Sequence, residues 1–144
     1  MGLQVAAAIV DAGLKCIGYD VLATLIHRLR SGIAHGDDVS DRDLNRALEN
    51  GLALTDDWCA LIGVDALFIC VPSPVPRRTS VEETHLENVA DLIRRVVRPG
   101  MLIAVETTVY PGATERLILP AAQEGGRRID RDVFVAVCPE RLNP

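Results

Sequence analysis

The chain has 144 residues and a formal net charge of -5, with 49% hydrophobic and 3% aromatic residues. That length suits one domain, residues 1–144, with a real core, and the acidic balance leaves no basic surface for a nucleic-acid partner. The apolar runs are short and broken by charge, so no membrane span is expected; Met1 opens on small residues without a basic leader, so a cytoplasmic protein is expected.

Gly2 to Asp11 is Ala-rich and reads as a helix that ends at Gly13, and Leu14 to Tyr19 reads as a strand. In Val21 to Arg30 the residues Leu22, Leu25, Ile26 and Leu29 recur at helical spacing, and Ser31-Gly32 stops the run. Ser40-Asp41-Arg42-Asp43 has the form of a capping box with Asp in place of Glu and starts a helix reaching Asn50-Gly51. Leu52 to Thr55 and Asp65 to Val71 are expected strands, with a short helical turn between them. Glu82 to Val97, closed by Pro99-Gly100, is the longest helix. Met101 to Glu106 is a strand, Thr114 to Ala122 a helix and Val133 to Val137 the last strand. The alternation implies right-handed crossovers and a mostly parallel α/β sheet. No internal repeat or low-complexity segment interrupts it.

Three strands hand polar residues to one rim. Cys70-Val71-Pro72-Ser73-Pro74 follows one, Glu106-Thr107-Thr108-Val109-Tyr110-Pro111-Gly112-Ala113-Thr114 the next, and Cys138-Pro139-Glu140-Arg141 the last. In an open parallel sheet that rim is where ligands bind, because loops and helix N-termini present N–H groups there. Asp20, just after the strand expected from Leu14 to Tyr19, reads in two ways on physics alone. It accepts hydrogen bonds from an adenosine ribose and repels the extra phosphate of NADP, or it caps the helix that begins at Val21. Arg94, Arg95 and Arg98 read as a solvated helix face. Cys16, Cys59, Cys70 and Cys138 lack the close paired spacing of a zinc site, and no metal is expected; buried free thiols are.

Taken in order, the runs Cys-Val-Pro-Ser-Pro, Glu-Thr-Thr-Val-Tyr-Pro-Gly-Ala-Thr and Pro-Glu-Arg-Leu-Asn-Pro, with Gly18-Tyr19-Asp20 and the segment from Asp38 to Gly51, resemble the NAD-binding domain of the UDP-glucose/GDP-mannose dehydrogenase family. The resemblance implies a Rossmann-type doubly wound parallel sheet and NAD as cofactor. Met1-Gly2-Leu3 matches only the last residues of the family's Gly-x-Gly-x-x-Gly turn, so the first strand and most of the Gly-rich loop are expected to be missing, and Pro144 precedes the family's catalytic and nucleotide-sugar domains. A truncated domain is therefore expected, with Met1 an internal methionine taken as the start, and one that is inactive by itself because none of the four cysteines occupies the family nucleophile's place.

By the same resemblance, Gly2, Asp20, Val71, Pro72, Ser73 and Thr107 hold the cofactor. Gly2 packs under the pyrophosphate, Val71-Pro72-Ser73 passes beneath the nicotinamide ribose, and the Thr107 hydroxyl contacts the cofactor in place of the family's usual Ser. The family oxidises a sugar C6 alcohol to a carboxylate with two NAD, through a cysteine-bound thiohemiacetal and thioester. Thr108 would orient the water or substrate oxygen and Glu140 would act as base or proton relay on it. Arg141, in the substrate set, points to the branch acting on acetamido sugars or GDP-mannose, though a structural ion pair is open for it. Full-length members are expected to be homo-oligomeric. The alternatives are a 6-phosphogluconate or 3-hydroxyisobutyrate dehydrogenase type of domain, and a non-catalytic nucleotide-binding or assembly piece. The family's strand order, three, two, one, four, five, six, sets the missing strand between Leu14 to Tyr19 and Asp65 to Val71. The chain is therefore expected to be poorly stable, or to pair those two strands directly.

Overall fold

The computed structural model describes residues 1–35, 39–72 and 84–138, and divides the chain into two compact units, Met1–Ile62 and Gly63–Pro144. The first contains α1 (Gly2–Asp11), β1 (Ile17–Tyr19), α2 (Ala23–Arg30), α3 (Asp41–Glu49), β2 (Ala53–Thr55) and a 3-10 turn at Trp58–Leu61. β1 and β2 are parallel, with Ile17 opposite Ala53 and Tyr19 opposite Thr55. Val10, Ile26, Leu29, Leu44 and Leu52 form the core beneath them. The expected strand from Leu14 shortens to three residues because its partner offers only three; Leu14, outside the ladder, is 64% exposed.

Two helix starts in this unit follow from single side chains. The N–H of Leu22 donates to Asp20 Oδ1 at 2.9 Å, which holds Val21 and Leu22 in a turn and delays α2 to Ala23. At α3 the Ser40 Oγ accepts from the Asp43 N–H at 3.1 Å. The expected capping box is modified: Asp43, one methylene shorter than Glu, accepts the Ser40 hydroxyl at 2.7 Å instead of reaching the cap's backbone N–H. Arg46, at 3.0 Å from Asp43, also reaches Asp11 at 3.2 Å, so α3 is tied to the end of α1.

The second unit contains β3 (Ala66–Ile69), α4 (Thr84–Val96), β4 (Leu102–Val105), a π turn at Thr114–Ile118, α5 (Leu119–Ala122), a 3-10 turn at Glu124–Gly126 and β5 (Phe134–Val137). Its three strands are parallel in the order β3-β4-β5, with Ala66, Leu102 and Phe134 in one register row. The residues at alternate positions, Ile69, Ile103 and Val105, are buried with Leu86, Ile93 and Ile118; Phe68, Leu102 and Phe134, on the opposite face, are partly exposed. The expected helix at Thr114 to Ala122 opens as a π turn. Pro120 has no N–H to donate and its ring crowds the carbonyl four residues back, so the turn widens before regular α-helix resumes.

Neighbours within each sheet are those of the expected strand order. β1 and β3 belong to different sheets, so the expected direct pairing of these two strands is not formed among the described residues.

Candidate functional site

Because β3, β4 and β5 run parallel, their carboxyl ends share one rim of the second unit. The backbone ladder reaches just past the strands: the Glu106 N–H donates to the Ile69 carbonyl at 3.0 Å, and the Cys138 N–H to the Val105 carbonyl at 2.9 Å. Val71, Pro72, Thr107 and Thr108 are thereby brought together. Thr107 is only 4% exposed and its Oγ1 donates to the Val71 carbonyl at 2.6 Å, whereas Thr108 next to it is exposed. Beyond them Gly112 takes a φ of 87°, a conformation costly for a residue with a Cβ, and turns the chain into the π turn. The Ala113 N–H closes this corner onto the Tyr110 carbonyl at 3.1 Å, and Arg116 stacks 5.5 Å over the Tyr110 ring while donating to its hydroxyl.

In the first unit, Asp20 follows the last residue of β1, and its N–H continues the ladder to the Thr55 carbonyl at 3.2 Å. One carboxylate oxygen caps Leu22, and no described residue donates to the other. The helix-capping role and a ribose-accepting role are thus compatible in one side chain. Gly2 is the first residue of α1; the first intrahelical bonds are donated by Gln4 and Val5 to the Met1 carbonyl, so the N–H groups of Gly2 and Leu3 face out of the helix end. An acceptor carboxylate at a strand end and outward N–H groups at a helix start suit the hydroxyls and phosphates of a dinucleotide. Ser73, Glu140 and Arg141 lie outside the described residues, as does part of the Asp38 to Gly51 segment.

The cysteines depart from expectation. They are free thiols, but none is fully buried: Cys16 and Cys70 are half-buried, and Cys59 and Cys138 exposed. Cys16 precedes the three-residue β1 and Cys138 follows β5, so neither sits within a covered stretch of sheet. Burial pushes the Cys16 thiol up, and the hydrogen bond with Asp57 raises that of Cys59, which makes both poorer nucleophiles. Arg94 remains on the solvated face and pairs with Asp91 at 2.6 Å. Arg98 does more than the expected solvated residue: it donates to the Val64 carbonyl at 3.0 Å and pairs with Asp65, fastening the end of α4 to the entry of β3. Gly18, named in the sequence only within the run Gly18-Tyr19-Asp20, has a packing role that the run did not reveal: an added Cβ would stand 2.8 Å from Leu54 Cδ2. Among the described residues no group of three or more His, Cys, Asp or Glu side chains comes together, and no helix is long and apolar enough to cross a membrane.

A model of the NAD binding domain of the UDP-glucose/GDP-mannose dehydrogenase family matches residues 1–144. The chain belongs to this family. Among UDP-glucose/GDP-mannose dehydrogenase relatives, the UDP-N-acetyl-D-mannosamine dehydrogenase of Pyrococcus horikoshii is 32% identical over 100% of this chain and 35% of its own length. The UDP-N-acetyl-D-glucosamine 6-dehydrogenase of Pseudomonas aeruginosa is 32% identical over 89% of this chain and 30% of its own. The solved UDP-D-ManNAc dehydrogenase of Pyrococcus horikoshii superposes with a TM-score of 0.89, at 32% identity, over 99% of this chain and 34% of that one. A GDP-mannose dehydrogenase from Pseudomonas aeruginosa, solved as a ternary complex, gives 0.85 at 25% identity, over 99% and 34%. The chain spans about a third of the length of the curated relatives it matches. Its α/β architecture is that of the Rossmann-type domain of these dehydrogenases, and the domain is an NAD-binding one.

Proposed function

We propose that residues 1–144 act as a single cofactor-binding domain of a dehydrogenase that oxidises the C6 alcohol of a UDP- or GDP-sugar to a carboxylate, with an acetamido sugar as the substrate. The family match over the whole chain supports the domain reading, and the names of the relatives, UDP-N-acetyl-D-mannosamine and UDP-N-acetyl-D-glucosamine dehydrogenases, support the sugar. NAD supplies the hydride acceptor when bound. The chain's own residues bind and orient: Asp20 accepts from the adenosine ribose, Gly2 and the start of α1 face the pyrophosphate, and Val71, Pro72, Ser73 and Thr107 form the floor near the nicotinamide ribose. Thr108 offers a hydroxyl to a water or substrate oxygen, Glu140 moves a proton there, and Arg141 holds a sugar oxygen or phosphate. We further read the protein as cytoplasmic and its full-length relatives as homo-oligomers.

The observation that carries the cofactor reading is Asp20, whose carboxylate ends β1 with one oxygen engaged by Leu22 and the other uncommitted among the described residues. A negative charge there favours NAD over NADP. Isothermal titration of both dinucleotides should give tighter binding of NAD, and Asp20→Asn should narrow the difference; tighter NADP binding by the unaltered chain would remove Asp20 from this role.

A further inference from the structure

The β3–β4 ladder has a period of two. The Leu102 N–H donates to the Asp65 carbonyl at 3.0 Å, and the Glu106 N–H to the Ile69 carbonyl at 3.0 Å. Continued one step, the pattern would send the Thr108 N–H to the Val71 carbonyl. That carbonyl instead accepts the Thr107 Oγ–H at 2.6 Å, and no bond to it from the Thr108 N–H is formed among the described residues. A threonine hydroxyl has one proton to donate, and Thr107 is 4% exposed, so its proton is committed inside the protein.

We propose that Thr107 is a positioning residue. Its hydroxyl stands in for the Thr108 N–H on Val71, ends the ladder, and releases Thr108 from the sheet with both of its donors, the backbone N–H and the Oγ–H, directed to a ligand at the rim. The sequence-based expectation had the Thr107 hydroxyl contacting the cofactor; here it acts through Val71 and Thr108. The inference rests on the reading of this rim as the ligand site, but the geometry it asserts belongs to the ligand-free chain.

Nuclear magnetic resonance of the unaltered chain without cofactor tests it directly. A slowly exchanging Thr107 hydroxyl proton, coupled to the Val71 carbonyl, is expected, together with a Thr108 amide that exchanges at least about a hundredfold faster than the Glu106 amide. A Thr108 amide as protected as Glu106, or a Thr107 hydroxyl proton exchanging at the solvent rate, would overturn the proposal. NAD is then added. The hydroxyl proton should keep its coupling to Val71, whereas its transfer to the dinucleotide would mean direct contact and overturn the positioning role. Thr107→Val should weaken NAD binding by about tenfold, the scale of one hydrogen bond, and Thr107→Ser should recover most of it; equal loss in both would also count against the proposal. A chain with the expected free-state signals that binds no NAD would support the positioning geometry and defeat the cofactor reading instead.

Discussion

Gly18 lies in β1 with Leu54 of β2 packed where a Cβ would go, at 2.8 Å, and Leu54 is itself 8% exposed within the core of its unit. Gly18→Ala should therefore destabilise the first unit by about 1–3 kcal/mol through overpacking, read as a lower denaturant midpoint. Adding Leu54→Val, which shortens the clashing side chain, should recover part of that loss; an unchanged midpoint in the single variant would show that Leu54 moves aside freely. The chemical type of Asp20, Thr107 and Thr108 was legible in the sequence, because their placement after apolar runs marks strand ends. Which of the two threonines is buried was not, since neither the burial of Thr107 nor its bond to a carbonyl distant in sequence leaves a local pattern.

α1 follows its Ala-rich run without adjustment, Gly2 through Asp11, because nothing in that stretch competes with the helix. Elements with a competing local bond shifted: Asp20 delays α2 and Pro120 widens the turn before α5. Ser40 is the cap of α3, and Ser40→Ala should cost about 1 kcal/mol by orphaning the Asp43 N–H, a loss that thermal unfolding would register and Ser40→Asp would spare. The α3 cap is also acid-sensitive. The Ser40 hydroxyl, aided by Arg46, holds the Asp43 carboxyl below the usual carboxylate range, and Arg128 does the same for Asp132 in the turn before β5. With folded-state values below those of the unfolded chain, their contribution is complete above the unfolded pKa of about 3.9 and is lost as pH falls through the folded values. Melting temperature should accordingly drop on acidification below about pH 4, and Asp132→Asn should flatten that drop. A melting profile of the same slope in the variant would rule Asp132 out as a contributor.

At the scale of the molecule, the parallel direction of the strands was legible from the alternation of elements and their order within each sheet followed from the family resemblance, while strand lengths were not legible, because each strand extends only as far as its neighbour. The sheets have open sides. β3 ends its sheet, so the backbone groups of Ala66 and Phe68 that point away from β4 meet no strand among the described residues, and Phe68 is 39% exposed. Such an edge invites pairing with another chain. Static light scattering should show self-association rising with concentration, and Phe68→Lys should suppress it; a monomer at all concentrations would show that the edge is covered.

The parallel ladders of the second unit also set a clock. No two of its paired strands are joined by a tight turn: α4 separates β3 from β4, and the π turn with α5 separates β4 from β5. Every register contact, including the one between Thr107 and Val71, must wait for a long loop to close, at an entropic cost that is incurred before any ladder bond forms. Refolding of this unit should thus show early helix, from α4, followed by a slower phase in which the sheet and the ligand-facing rim form together.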